Sequence, residues 1–266
     1  MPMNLMTTSA IFNFTLLEVL RTRLWLFALG VVGVIYLVSE FSASLAITES
    51  LQYSVITYAT IIRLAAVFIV TLFVSSSIIR EFDDAVFDLI ISRPVSRTTW
   101  YLSKQLGYFV LAILLSVICV VPLMYLGASQ LALWWVSFFA ELCLVAAASI
   151  AFAITLRNTT MTITAVLSFY ILSRIANALV LMSGRAAEEI AQPVNILIAN
   201  MVRGLAYLLP NLDRFGDPDW LLISNAQAIL SNASLSGDLF YVLMQTLIYC
   251  VLLSSVGLFD LHRRNL

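Results

Sequence analysis

Long apolar blocks, separated by short polar interruptions, set the pattern of this chain. Six of them are long enough to cross a hydrocarbon core ~30 Å thick, which needs about 20 apolar residues in a helix. The predicted spans cover residues 24–39, 54–79, 105–126, 131–156, 160–183 and 238–258. Ahead of the first, within residues 8–23, Phe14, Leu17 and Leu20 form an apolar stripe that ends in Arg21 and Arg23, as in a helix lying on a membrane surface. Pro122 predicts a kink near one end of span three. The connection at 127–130 is so short that spans three and four must be antiparallel neighbours. Span four carries Ala146, Ala147, Ala148, Ser149, Ala151 and Ala153, small side chains that let a second helix approach closely.

Two polar stretches stand out from this pattern. One, residues 184–237, contains Ile190, Val194, Leu197, Ile198, Met201, Val202 and Leu205 at helical spacing, closed by Pro210 and a loop at 213–219; a second short helix is predicted around 221–230. The other, residues 80–104, is the long charged interruption of the first 180 residues. There Phe82, Val86, Leu89 and Ile90 recur at helical spacing, while Glu81, Asp84 and Asp88 fall on another face. The pattern predicts a short amphipathic helix at the membrane surface. Pro94 disfavours helix at Arg93, so this helix should end near Ser92, before a basic turn containing Arg93 and Arg97. An ordinary solvated loop has the same composition.

An acidic amphipathic helix, then Leu-Ile-Ile-Ser-Arg-Pro-Val-Ser-Arg, then Lys104 opening an apolar span resembles the cytoplasmic loop of type-2, exporter-like ABC transporter permeases, including those of lipid and drug export and of copper-site maturation. The family usually has Gly-Thr where this chain has Ala85-Val86. The resemblance implies that Glu81, Phe82, Asp83, Asp84, Val86, Asp88, Leu89 and Ile90 belong to a coupling helix, and Ser92, Arg93, Pro94 and Arg97 to the turn after it. It implies that this loop docks on a separate ATP-hydrolysing subunit, which would hold the ATP and magnesium, and that the stripe in 8–23 is the family's elbow helix. The implied fold is all-α and integral to the membrane: one permease domain over residues 1–266, with six transmembrane helices and a helical external segment before the last.

Composition agrees with a membrane protein. Hydrophobic residues make up 62% of the chain and charged residues 11%, too few to coat a soluble globule of 266 residues. The first twenty residues lack a basic start and are interrupted by Glu18, so no cleaved secretory signal is expected. A net charge of −1 gives no bulk attraction to nucleic acid. Cys119, Cys143 and Cys250 lie in apolar runs, which suits buried thiols better than a disulfide framework. The basic residues fix the expected orientation. Arg21, Arg23, Arg80, Arg93, Arg97, Lys104, Arg157, Arg263 and Arg264 fall on one side of the six spans, and Arg185, Arg203 and Arg214 on the other. By the positive-inside rule both termini are cytoplasmic and the protein is multi-pass in the inner (plasma) membrane.

Several chemistries are missing. A P-loop needs a lysine beside a glycine-rich turn, and the one lysine, Lys104, sits in Tyr-Leu-Ser-Lys-Gln. The one histidine, His262, is in the predicted tail, so neither a histidine-based zinc site nor a Ser-His-Asp triad is expected. The sequon Asn232-Ala-Ser234 is too common a pattern to carry weight. Inside the spans, however, lie Arg63, Glu141 and Arg174, each nine or ten residues from the same predicted membrane face, hence at similar depth at ~1.5 Å per residue. Left facing lipid, each would cost at least ~2.5 kcal/mol. Glu141 is therefore expected to pair with one arginine, locking helix packing, while the other faces a cavity or an anionic head group.

Three functions fit. In the first, two copies of the permease, or the permease and a paralogue, work with ATPase subunits to export or extract a lipid, glycolipid, drug or other amphiphile. In the second, the same machine transmits force to a periplasmic partner protein, which the enlarged segment 184–237 would meet. The third is an intramembrane enzyme or a non-transporting scaffold; it ranks last because the spans supply one carboxylate, and acid–base work needs a second titratable partner. No catalytic residue and no cofactor of its own are expected in the chain.

Overall fold

The computed structural model describes residues 2–46, 49–84, 96–127, 130–189, 193–216, 221 and 225–263, with side chains throughout these except at 2–9, 186–189, 193 and 225–236. Within them every regular element is helical: α1 Pro2–Arg21, α2 Leu24–Leu45, α3 Ser50–Asp83, α4 Arg97–Tyr125, α5 Leu131–Leu156, α6 Thr159–Glu189, α7 Pro193–Leu208, a 3₁₀ turn at Leu212–Gly216, and α8 Asn225–Arg263. Six of these, α2 to α6 and α8, are long and apolar enough to cross a membrane. The chain has the architecture of a multi-pass membrane protein.

α5 is the hub. It packs on α3, α4, α6 and α8, and 78% of its most apolar stretch is buried, against 22% for α2, α6 and α8 at the periphery. The alanine-rich segment explains the choice. Ala146, Ala147, Ala148 and Ala153 are fully buried, and a backbone with no bulk on it can be approached from several sides where lipid-like packing replaces the hydrophobic effect. Consecutive spans run antiparallel, so one end of the bundle gathers the end of α3, the start of α4, the tight α5–α6 turn at Arg157-Asn158 and the end of α8; we term this the loop end. The far end carries α7 and the 3₁₀ turn.

Helix boundaries depart from the hydropathy blocks, and local chemistry says why. α3 has 34 residues, about 51 Å at 1.5 Å per residue, so it outruns a ~30 Å core and takes in Arg80, Glu81, Phe82 and Asp83. These four residues are thus the last turn of a spanning helix, not the start of a separate one, because no glycine or proline interrupts the run. α4 begins at Arg97 rather than at Gln105: Ser96 caps it, its side chain accepting the Thr99 N–H at 3.1 Å. Lys104 therefore lies two turns inside the helix. α6 is capped in the same way by Asn158, whose Oδ1 accepts the Met161 N–H at 3.1 Å. The second short helix expected near 221–230 is instead the start of α8, since Gly237 alone does not break a helix that carries a full apolar stripe. α2 likewise continues through Glu40 to Leu45.

Two predicted stripes face away from the chain. In α1 it is Thr15 and Val19 that are buried, while Phe14, Leu17 and Leu20 are exposed. In α7, Val194, Leu197, Ile198, Met201 and Leu205 are exposed and Ala199 is buried. Cys119 and Cys143 are buried free thiols, and Cys250 is a half-buried one.

Candidate functional site

Among the described residues, ion pairs form in the packed interior in two places. Midway along the bundle, Arg63 of α3 projects to α5 and forms an ion pair with Oε2 of Glu141. Arg174 of α6 reaches the other oxygen, Oε1, at 3.2 Å, and Tyr170, one turn earlier on α6, donates its hydroxyl to the same atom at 2.8 Å. The three charges predicted to share a depth thus meet at one carboxylate. Neither arginine is left over, in contrast to the expected single pair: a carboxylate has two oxygens, and helices α3 and α6 present one cation to each. Arg63 and Glu141 are fully buried. The guanidinium of Arg63 also lies over the rings of Trp134 and Phe138, 4.7 and 5.5 Å from their centroids, and these faces soften its loss of water. Two of its nitrogens, Nε and Nη2, have no hydrogen-bond partner.

A glycine makes room for this arrangement. A Cβ on Gly216, at the end of the 3₁₀ turn, would fall on Nη2 of Arg174. The turn is held in place by Ser137 of α5, which donates to the Phe215 carbonyl. Its neighbour Asp213 accepts from Asn177 Nδ2 at 3.4 Å. The far-end turn and the charge cluster therefore position one another.

The second cluster is at the loop end. Lys104 of α4 forms an ion pair with Glu81 of α3, and Glu18 of α1 stands 3.8 Å away through Oε2. Phe14, one turn before Glu18, covers the ammonium with its ring at 5.4 Å. Glu18 accepts from Ser77 Oγ at 2.6 Å through Oε1, and Ser77 in turn accepts from Tyr108 at 2.9 Å. The helices come close enough because Gly107 offers no side chain to Thr15: a Cβ there would sit 2.7 Å from the Thr15 methyl.

The residues expected to couple to an ATPase divide three ways. Glu81 is buried and turned inward, to Lys104. Phe82 packs on Trp100, with ring centroids 6.0 Å apart, and receives the Arg157 guanidinium at 5.0 Å. Asp83 and Asp84 are exposed at the end of α3, where the Asp84 N–H closes on the Arg80 carbonyl at 2.9 Å. Arg97 donates to the Leu261 carbonyl at 2.8 Å, tying the start of α4 to the end of α8. Val86, Asp88, Leu89, Ile90, Ser92, Arg93 and Pro94 lie outside the described residues. Sequence reading missed Glu18, Ser77, Tyr108 and Tyr170. Glu18 carried a signal, as the one acidic residue of α1; the hydroxyls carried none.

Chemically, Glu141 is committed to the protein: its two oxygens take three donors and its side chain is fully buried. Among the described residues no group of His, Cys, Asp and Glu side chains could hold a metal ion. No protein-family profile matches the chain, and no characterised protein sequence matches it either.

Proposed function

We propose that the chain is the membrane permease subunit of an exporter-like ABC transporter, in which a separate ATPase drives export or extraction of a lipid-like or other amphiphilic substrate. One observation carries the reading. The segment 85–95 is flanked by packed contacts on both sides, Glu81 and Phe82 before it and Trp100 and Lys104 after it. Because Glu18 joins the same cluster, a force on this segment is delivered to α1, α3 and α4 together rather than absorbed locally. A packed interior transmits such strain because it is not continuously deformable. The exposed stripe Phe14, Leu17 and Leu20 suits an elbow helix resting in the cytoplasmic leaflet.

On this reading the loop end is cytoplasmic, both termini are inside, and two permease copies, identical or paralogous, meet two ATPases that hold ATP and magnesium. The chain itself is not an enzyme. The exposed apolar face of α7 favours a second form of the same machine, in which the far end acts on a periplasmic protein rather than passing a small molecule.

Mild-detergent purification with native mass spectrometry tests the proposal. The expected particle has two permease and two ATPase chains. Charge reversal of Asp84, exposed just after α3, combined with Asp88→Lys should detach or uncouple the ATPase and leave the bundle folded. A wild-type subunit recovered alone and active without any ATPase would refute the proposal.

A further inference from the structure

α4 and α8 both pack on α5 and are joined to each other near the loop end. There Ser254 donates to Gln105 Oε1 at 2.9 Å, and Gly257 admits the Tyr101 ring, since a Cβ on it would lie 2.8 Å from the phenol oxygen. Beside this junction a groove of about 710 Å³ opens between the two helices. Leu106 and Phe109 of α4 form one wall, Leu247 and Val251 of α8 the other, and Phe139, Ala140 and Cys143 of α5 the floor. All three helices are apolar spans, so the groove opens on hydrocarbon. It begins level with Glu141, next to Ala140, and ends at Leu102 and Leu258 near the loop end, so it lies mainly in the leaflet on that side.

Two features select an occupant. The first is chemistry. Each hydroxyl of the lining donates within the protein, Thr246 to the Val242 carbonyl at 2.8 Å, Ser254 to Gln105, and Ser255 to the Leu252 carbonyl at 2.7 Å, so none is left over for a ligand. A polar ligand would find little here to replace its hydrogen bonds with water. The second is shape. Leu243 and Leu258 both line the groove, and the fifteen residues of helix between them are about 22 Å long at 1.5 Å per residue. Spread over that length, the volume is a channel roughly 6 Å across, whereas a helix with its side chains measures about 10–12 Å. We infer that this groove binds one alkyl chain of a membrane lipid, drawn from the loop-end leaflet. An alkyl chain seated there touches three helices at once, where elsewhere on the surface it would touch one, and it fills a space that close packing would otherwise leave void. The inference concerns binding alone and holds whether or not the protein works with an ATPase.

The test uses the full protein in phosphatidylcholine nanodiscs doped with a phosphatidylcholine that carries a diazirine midway along one acyl chain. After irradiation, peptide mass spectrometry maps the residues that have captured lipid. In wild type, capture at Leu247 and Val251 should exceed capture at Leu29 and Leu37, which stand exposed on α2, by about tenfold, the effect of about ten further carbon contacts. Cys250→Phe, which puts a ring into the groove, should bring capture at Leu247 and Val251 down to the α2 level and leave the melting temperature unchanged or raised. Ser255→Phe gives the same readout should the first variant fold poorly. Oxidation of the wild type should yield no pair of chains linked through Cys250. Equal capture on the two faces in wild type, or undiminished capture in a folded Cys250→Phe or Ser255→Phe variant, would overturn the inference. A dimer linked through Cys250 would overturn it too, by seating a second copy in the groove.

Discussion

The two charge clusters are near mirror images in composition and differ modestly in exposure, each having a closed central pair and one member that reaches the surface. Midway along the bundle, one carboxylate serves two guanidinium groups, and its central pair, Arg63 with Glu141, is closed off entirely. At the loop end, one ammonium serves two carboxylates, and Glu18 keeps 31% of its side chain accessible. Each cluster carries an excess charge, positive in one and negative in the other. The difference lies in how the excess is tolerated. Midway along the bundle the buried Arg63 is met by aromatic faces and the shared carboxylate also takes a phenol, with Arg174 24% accessible, whereas at the loop end the excess reaches the surface through Glu18. A buried pair is weak evidence of added stability, yet strong evidence that removing one partner will be harmful. The mid-bundle cluster should therefore be the less forgiving, and it ties α3, α5 and α6 together, whereas the loop-end cluster ties α1, α3 and α4.

The largest expected effect comes from breaking the deep cluster at its shared member. Glu141→Gln strands two guanidinium groups, one of them fully buried, and should cost ~3–5 kcal/mol, seen as a collapse in folded yield in detergent. Adding Arg63→Met to that variant should restore more than half of the loss, because the remaining cation, Arg174, is 24% accessible and can turn outward. A double mutant no better than Glu141→Gln alone would mean that Arg63 is not what makes the carboxylate necessary.

At the loop end the matching variant should do less. Lys104→Met leaves Glu81 and Glu18 without their cation, but Glu18 already reaches solvent, so a cost of ~2 kcal/mol is expected, about half that of Glu141→Gln. Lys104→Met combined with Glu81→Gln should return close to wild-type stability in thermal unfolding. A loss equal to that of Glu141→Gln would erase the distinction between the clusters.

Much of this was legible in one dimension, and the exceptions share a cause. The six apolar spans follow from length and hydropathy, and the shared depth of Arg63, Glu141 and Arg174 follows from counting residues along helices of fixed rise. Counting gives depth, however, and not direction around the helix axis. That is why the expectation stopped at one arginine per carboxylate, and why the stripe in α1 was assigned without knowing which side packs. In a bilayer both the lipid side and the protein side of a helix are apolar, so periodicity marks Phe14, Leu17 and Leu20 without telling that Thr15 and Val19 are the ones covered. The small signals that settle packing, Gly107 against Thr15 and Gly216 against Arg174, are single glycines with no pattern around them. The start of α4 was recoverable: Ser96 with Thr99 three residues on is a helix cap, hidden by attention to hydropathy.

The smallest effect sharpens the comparison most, because it uses the same substitution twice. Tyr170 and Tyr108 are both buried, and each donates one hydrogen bond from its hydroxyl, at 2.8 and 2.9 Å. Their acceptors differ. Tyr170 donates to a carboxylate oxygen of Glu141 that is otherwise served by Arg174 at 3.2 Å, so Tyr170→Phe removes a bond to a charged group, worth ~1.5–3 kcal/mol. Tyr108 donates to the Ser77 hydroxyl, which keeps its own bond to Glu18 at 2.6 Å when the phenol is gone, so Tyr108→Phe should cost only ~0.5–1.5 kcal/mol. Thermal unfolding of the two variants in the same detergent should thus place Tyr170→Phe below Tyr108→Phe by about 1 kcal/mol. The order matters more than the size. Equal losses would mean that Glu141 does not depend on the phenol, leaving its excess positive charge to the rings of Trp134 and Phe138, while a larger loss at Tyr108 would make the loop end, open as it is, the tighter of the two clusters.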